Sequence, residues 1–387
     1  MHLIDKRSAE DILAALVGFP TISSETNLPL IDYVRDYLEH LGVASTVVPR
    51  ADGLKANLFA AIGPQAEGGV VLSGHTDVVP AAGQPWKREP FRLTREGERL
   101  YGRGTTDMKG FLAVSLAMVP EMLAADLKRP VYLAFSYDEE IGCLGAPDMI
   151  DRMLADLPRP AAVVVGEPTR MEVVTGHKGV VKMTSTVRGK GVHSSTVHLG
   201  VPATVYAARL AVWLDERMRR NRAEGPRDER FDPPYTTLHS GIIEGGTAFN
   251  ITARECRLVS DIRTLPEENS ADYLAEFSAF AESLAAEMRA IDPQSGIDIE
   301  IECDVPGCRQ EANGEAEALA RRLSGDNADH VVAYGTEAGQ FQDAGLSVVV
   351  CGPGDMEQGH KPDEYIETSQ LRAGEAFQRR LIDHLAA

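Results

Sequence analysis

The sequence predicts an α/β domain interrupted by a smaller ferredoxin-like α+β insertion, and three observations predict it. Short apolar runs alternate with helical patterns up to about residue 165, the mark of a layered α/β sheet. From Val180 the texture changes to alternating residues in the order strand, helix, two strands, helix, strand, which fits a ferredoxin-like unit. After that the first pattern returns, as it does when one domain is interrupted and then resumed. The expected divisions are 1–178, 179–292 and 293–387, in a chain of 387 residues that exceeds the ~100 to 200 usual for one domain.

Each element has its own signal. Ser8, followed by Glu10, Asp11 and the apolar Ile12, Leu13, Leu16 and Val17, reads as a capped amphipathic helix, and 28–41 as a second. Strand-like runs at 44–48, 57–62 and 70–72 are punctuated by Gly and Pro, and a helical pattern covers 107–123. A buried strand at 131–136, a helix over 144–154 and a strand at 161–165 follow. In the insertion, Val181, Met183, Ser185 and Val187 alternate, a helix spans 202–220, alternating stretches cover 236–243 and 253–262, and a second helix covers 270–289. The strand near 297–302 fits either domain. The resumed pattern comprises 315–323, 331–333, 346–351 and 368–385.

Composition narrows the function classes. Hydrophobic residues make up 43% and charged ones 25%, the balance of a folded chain rather than a disordered or fibrous one. Thirty-nine Lys and Arg against 58 Asp and Glu leave a net charge of −19, a field that repels phosphate backbones and anionic lipid, so no nucleic acid and no membrane partner is expected. The opening stretch carries Asp5, Lys6, Arg7, Glu10 and Asp11 and lacks the apolar core of an export signal. No later run approaches the ~18 uncharged residues that cross a bilayer. Cys143, Cys256, Cys303, Cys308 and Cys351 form no CxxC pair and signal neither a disulfide framework nor a thiolate zinc knuckle. A cytoplasmic protein with reduced thiols is the expectation.

Chemistry-bearing residues collect where strands should end. His75 and Asp77 leave the run 70–72 on one side, Glu139 and Glu140 follow 131–136, and Glu167 follows 161–165. Ligands bind beyond the carboxyl ends of strands in open α/β sheets; one acid there is commonly a cap or a surface charge, but several together are harder to dismiss. Asp107 precedes an apolar helical pattern and reads either as its cap or as part of the site. The glycines around it lack the GxxxxGK[ST] order of a phosphate loop. His360 lies in a turn-rich stretch after 346–351. Two imidazoles and several carboxylates, with no cysteine in position, suit zinc, cobalt or manganese, and the crowded negative charge favours two cations over one.

In order along the chain, Ser-Gly-His75-Thr-Asp77-Val-Val-Pro, Gly-Thr-Thr-Asp107-Met-Lys-Gly, Asp-Glu139-Glu140 and Gly-Glu167-Pro-Thr resemble the dinuclear zinc amidohydrolases. That family includes acetylornithine deacetylase, succinyl-diaminopimelate desuccinylase, aminoacylase and glutamate carboxypeptidase. His177-Lys178-Gly179, Gly245 to Asn250, Asp261-Ile262-Arg263, Thr336-Glu337-Ala338 and Asp355 through His360 to Glu364-Tyr extend the resemblance over nearly the whole chain, nearest to the acetylornithine branch.

The resemblance implies a zinc-peptidase-like catalytic domain, with a mixed sheet flanked by helices, and an insertion serving as dimerisation and lid domain. It also implies two zinc ions, with cobalt or manganese as substitutes: Asp107 bridges them, His75 and Glu167 complete one site, and Glu140 and His360 the other. Glu139 is implied as general base, Asp77 as the residue that accepts a hydrogen bond from His75 and fixes its tautomer, and His193 as an oxyanion donor from the partner in a homodimer. Arg263 and Asn250 are implied to hold the α-carboxylate of a small N-acyl amino acid, assisted by Lys178. Glu337 is expected either to read a cationic side chain or to cap a helix over 338–344. The implied reaction is hydrolysis of N2-acetyl-L-ornithine. Succinyl-diaminopimelate or acetylcitrulline as substrate, and a non-catalytic metal-binding or ligand-sensing protein, are the alternatives.

Overall fold

The computed structural model describes residues 7–387; the part of the opening charge pattern at 1–6 lies outside the described residues. Two compact units appear. One comprises the described residues up to Gly176 with Cys308–Val331 and Thr336–Ala387, and the other His177–Gly307 with Val332–Gly335.

The chain enters the first unit through α1 (Ala9–Val17), α2 (Leu28–His40), β1 (Ser45–Pro49), β2 (Ala56–Ile62) and β3 (Val70–His75). It continues with β4 (Thr94–Glu96), β5 (Arg99–Tyr101), α3 (Lys109–Ala124), β6 (Val131–Ser136), α4 (Ala146–Asp156), β7 (Ala162–Pro168) and β8 (Val174–His177). The second unit holds β9 (Val180–Arg188), α5 (Ala203–Glu224), β10 (Thr237–Gly245), β11 (Glu255–Arg263), α6 (Ser270–Ile291) and β12 (Gly296–Val305). Then come α7 (Glu315–Ser324), β13 (His330–Val332), α8 (Ala338–Asp343), β14 (Val348–Gly352), β15 (Tyr365–Glu367) and α9 (Thr368–Ala386).

A mixed sheet in the order β1-β2-β6-β3-β7-β14-β8-β13 is flanked by helices. β6, β3, β7 and β14 run parallel and are buried along their whole length, as strands covered on both faces must be. Continuous apolar runs are the sequence trace of that burial. Thirteen of the 16 residues of α3 are buried, because it packs between the sheet and the helices α1 and α9. Gly166 permits the close approach of β7 to α3: a Cβ there would stand 2.1 Å from the Phe111 ring. α1 begins as its sequence predicts, with Ser8 and Asp11 forming a reciprocal capping box worth about 1 kcal/mol.

The second unit has the βαββαβ order and an antiparallel sheet, β10-β11-β9-β12, which is the ferredoxin-like arrangement. Met183, Leu210, Leu214, Leu258, Ile262, Phe277 and Leu284 form its core. The strand whose membership the sequence left open is β12, paired with β9 from Gly296 against Arg188 to Val305 against Val180. That pairing carries the second unit to Gly307, past the expected division at 292. The small sheet β15-β5-β4 has no counterpart in the sequence reading. Its strands are three residues long and rich in charge, and only Leu100 and Ile366 are buried.

Candidate metal centre

Because β3, β6 and β7 are parallel, their carboxyl ends lie at one sheet edge. The register sets His75 opposite Ser136 and Ser73 opposite Val165, so His75 at the end of β3 is level with Glu167 in β7. Glu139 and Glu140 leave β6 by a turn in which Asp138 has φ +57°. Asp107 comes from the turn before α3, and His360 from the loop after β14. Asp107 is not the helix cap: Met108 occupies that position, with no side-chain cap bond, and the Asp107–Met108 peptide is cis.

Asp107 meets two imidazoles at once. Its Oδ1 lies 3.1 Å from His75 Nε2, and its Oδ2 lies 3.1 Å from His360 Nε2. Glu140 Oε2 is 2.9 Å from His360 Nε2, and Glu167 Oε1 is 3.6 Å from His75 Nε2. Donor atoms of His75, Glu139 and Glu167 gather within 4.8 Å of one another, as do those of His75, Asp107 and Glu140.

Two buried oxygens in this cluster, Glu140 Oε1 and Glu167 Oε1, have no hydrogen-bond partner among the described residues. Burial, reinforced by neighbouring carboxylates, pushes Glu139 up to about 8, Glu140 up to about 7 and Glu167 well above its usual range. Burial would raise Asp107 too, but hydrogen bonds with His360 and His75 hold it well below the carboxylate range. Those bonds, to Asp107 and Glu140, lift His360 to about 11. Crowded acids of this kind favour cations among them, either the protonated imidazoles or metal ions in their place. Imidazole nitrogens, orphaned carboxylate oxygens and an aspartate offering one oxygen to each side fit a pair of zinc-like divalent ions.

The support around the cluster departs from expectation at Asp77. His75 Nδ1 donates to the backbone carbonyl of Asp77 at 2.9 Å, which turns Nε2 towards Asp107 and Glu167, where it would bind an ion once its proton is displaced. The Asp77 carboxylate stands farther from Nδ1, at 3.6 Å. It accepts instead from Ser23 Oγ at 2.6 Å and from the backbone N–H groups of Glu139 and Glu140 at 3.1 and 3.3 Å. Sequence reasoning missed Ser23, and missed that buried Asp138 pairs with Lys55 to anchor the same turn. The only trace was a third acid in the string Asp-Glu-Glu. Cys143 Sγ lies 3.4 Å from Glu139 Oε1.

Two substrate expectations are revised by burial. Glu337 makes no side-chain cap to α8, and its buried carboxylate accepts from Ser73 Oγ at 2.5 Å and Ser136 Oγ at 2.7 Å, so it is neither cap nor free anion. Lys178 is buried, and its ammonium donates to Pro233 O and Tyr235 O, both at 2.7 Å, anchoring that segment.

Within the second unit, His193 is exposed. Its Nδ1 accepts from the backbone N–H of Ser195 at 3.2 Å, which puts the ring proton on Nε2. Asn250 is its neighbour, with Ser194 N donating to Asn250 O at 2.9 Å. Arg263, its Nε held by Asp261 Oδ2 at 2.8 Å, ends β11 at the opposite end of the sheet. The length of that strand separates it from the His193–Asn250 end by about 25 Å.

The model of peptidase family M20/M25/M40 matches residues 71–384. An acetylornithine deacetylase of Shigella sonnei (strain Ss046) is 34% identical over 381 residues, covering 97% of this chain and 97% of its own. The M20 family metallo-carboxypeptidase Sso-CP2 from Sulfolobus solfataricus has a TM-score of 0.78 at 20% identity, covering 98% of this chain and 99% of its own. For the di-peptidase Dug1p from Saccharomyces cerevisiae the TM-score is 0.73 at 16% identity, covering 98% and 95%. At these identities the two structures attest the fold.

Proposed function

We propose that this chain, which belongs to peptidase family M20/M25/M40 and is a metal-dependent hydrolase, removes the acetyl group from N2-acetyl-L-ornithine to give L-ornithine and acetate. The observation that carries the chemistry is Asp107 set between His75 and His360 amid buried carboxylates. The similarity to an acetylornithine deacetylase over 97% of the chain supports the choice of substrate.

His75, Asp107, Glu140, Glu167 and His360 would hold two ions, zinc by the donor set with cobalt or manganese as substitutes, which supply Lewis acidity to the amide carbonyl and the attacking water. Glu139 takes the proton of that water and passes it to the leaving amine, a role suited to a buried carboxyl whose affinity for a proton lies near neutrality. His193 offers its Nε2–H to the developing oxyanion. Arg263 and Asn250 bind the substrate carboxylate. They stand too far apart in one chain to grip one small molecule, so the two would come from different copies, and the family resemblance assigns His193, and with it Asn250, to the second. A homodimer through the second unit accords with the edge strand β10, where Ile242 and Ile243 are 49% and 53% exposed, and with Phe249, which is wholly exposed. Five free, buried cysteines suit a reducing cytoplasm.

Acetate release from N2-acetyl-L-ornithine by metal-stripped and then zinc-reloaded protein, beside succinyl-diaminopimelate and acetylcitrulline, tests the reading. Zinc-dependent turnover favouring acetylornithine supports it. A preference for either competitor overturns the substrate, and silence on all three with metal bound overturns catalysis of this class.

A further inference from the structure

Two loops bring Asp107 and His360 together, 102–107 and 359–364, and one buried ion pair joins them. Arg103 and Glu364 are each 1% exposed. Glu364 Oε2 accepts from Arg103 Nη1 at 2.7 Å and from the backbone N–H of Gly104 at 3.1 Å. Its Oε1 accepts from the backbone N–H of Thr106 at 3.0 Å and of Asp107 itself at 3.2 Å. A carboxylate from one loop thus takes four donors from the other. Gly102 N donates to Glu364 O at 2.9 Å, which continues the pairing of Tyr101 with Tyr365 between β5 and β15.

Arg103 extends the link the other way. Its Nη2 donates to Gln84 Oε1 at 2.6 Å, and Gln84 Nε2 donates to the backbone carbonyl of His360 at 3.0 Å. His360 has φ +60°, a left-handed conformation that costs a non-glycine residue about 1 kcal/mol or more. Its side chain is 52% exposed, so packing contributes little to its aim at Asp107 and Glu140. The backbone must aim it, and the backbone is held by this network.

We propose that Arg103 and Glu364 are positioning residues that, with Gln84, fix the backbone of Asp107 against that of His360 and so set the geometry of the Glu140–His360 metal site. The inference rests on Asp107 and His360 being metal donors. Substituting Glu364→Gln turns one accepting oxygen into an amide donor that faces donors on every side.

Metal-stripped full-length protein is titrated with cobalt, followed by calorimetry and visible absorption, beside thermal melting of the metal-free form. Glu364→Gln is expected to weaken one of two binding events by about 10- to 100-fold and to alter the cobalt spectrum, the other event changing less. Gln84→Leu, which removes a half-buried side chain and leaves the ion pair, is expected to shift the same event in the same direction with a smaller drop in the metal-free melting temperature than Glu364→Gln. Wild-type constants and spectra in both variants overturn the proposal, as does an equal loss at both events that tracks the melting temperature. Asp107→Ala separates the layers: if it keeps both events, the donor assignment falls and the inference with it. If it loses them while Glu364→Gln and Gln84→Leu bind normally, the inference alone falls.

Discussion

The carboxylate of Asp77 accepts the backbone N–H of Glu139 at 3.1 Å, and its second oxygen takes the N–H of Glu140 and the hydroxyl of Ser23. Asp77 therefore governs the turn that separates the proposed base from the neighbouring metal donor. Asn in its place has one accepting oxygen and cannot hold both amides. Asp77→Asn is expected to lower kcat by about 10- to 100-fold while metal content stays at the wild-type level. Unchanged kcat would show that the turn keeps its shape without the carboxylate.

Asp107 offers one oxygen to each imidazole, so its loss should empty both metal positions, whereas loss of Glu167 should weaken only the one beside His75. Elemental analysis after dialysis distinguishes the two. Equal metal content in Asp107→Ala and Glu167→Ala would refute a shared donor.

Glu139 shares the cluster with His75 and Glu167, but its proposed work is proton transfer. Glu139→Gln keeps the shape, cannot take a proton, and is expected to cost about 10²- to 10⁴-fold in kcat with both ions retained. Activity near that of the wild type would remove it from the mechanism.

The strands that carry this site were legible because burial on both faces writes an apolar run, and β3, β6, β7 and β14 each have one. His75, Glu140 and Glu167 stand out as candidates because they follow such runs, whereas Asp107 reads equally as a helix cap and His360 as a loop residue, and only the family resemblance joins the five into one set. What escaped was set by long-range pairing. Glu364 and Arg103 meet across 261 positions through strands three residues long. Glu337 reads as a partner for a cationic side chain or as a helix cap, and Lys178 as an aid to carboxylate binding, and only the fold reveals that hydroxyls and carbonyls already occupy them. Nor does a motif tell which end of a sheet its residue occupies, so the separation of Arg263 from Asn250 shows only in the fold.

His177 gives the protein an acid-sensitive element apart from the metal cluster. Its Nδ1 donates to Lys178 O at 2.9 Å, its buried Nε2 has no partner among the described residues, and burial lowers its pKa from 6.5 to about 4. Between those values the unfolded chain binds the proton and the folded chain does not, so stability is lost as pH falls through that window. The loss reaches about 3 kcal/mol. His177→Asn should flatten the pH dependence of the urea midpoint between pH 6.5 and 4 relative to wild type. Parallel curves for the two proteins would mean the histidine is already charged in the fold.

The distance between Arg263 and the His193–Asn250 pair makes a sharper demand on assembly than any apolar surface does. Both ends belong to one ferredoxin-like sheet, whose β11 is nine residues long, and no side-chain motion closes a gap of about 25 Å. If both ends serve one substrate, each active centre combines two chains, and defects in different chains should complement. His193→Ala and Glu139→Gln should each be nearly inactive alone. Mixed in equal amounts after dissociation and reassembly, half the dimers carry both variants, and each of these has one centre with its own Glu139 and the other chain's His193. Recovery of roughly a quarter of wild-type activity is expected. Recovery of none, with mixed dimers verified by mass, would place His193 and Glu139 of the same chain in one centre; near wild-type activity of His193→Ala alone would place His193 outside the reaction.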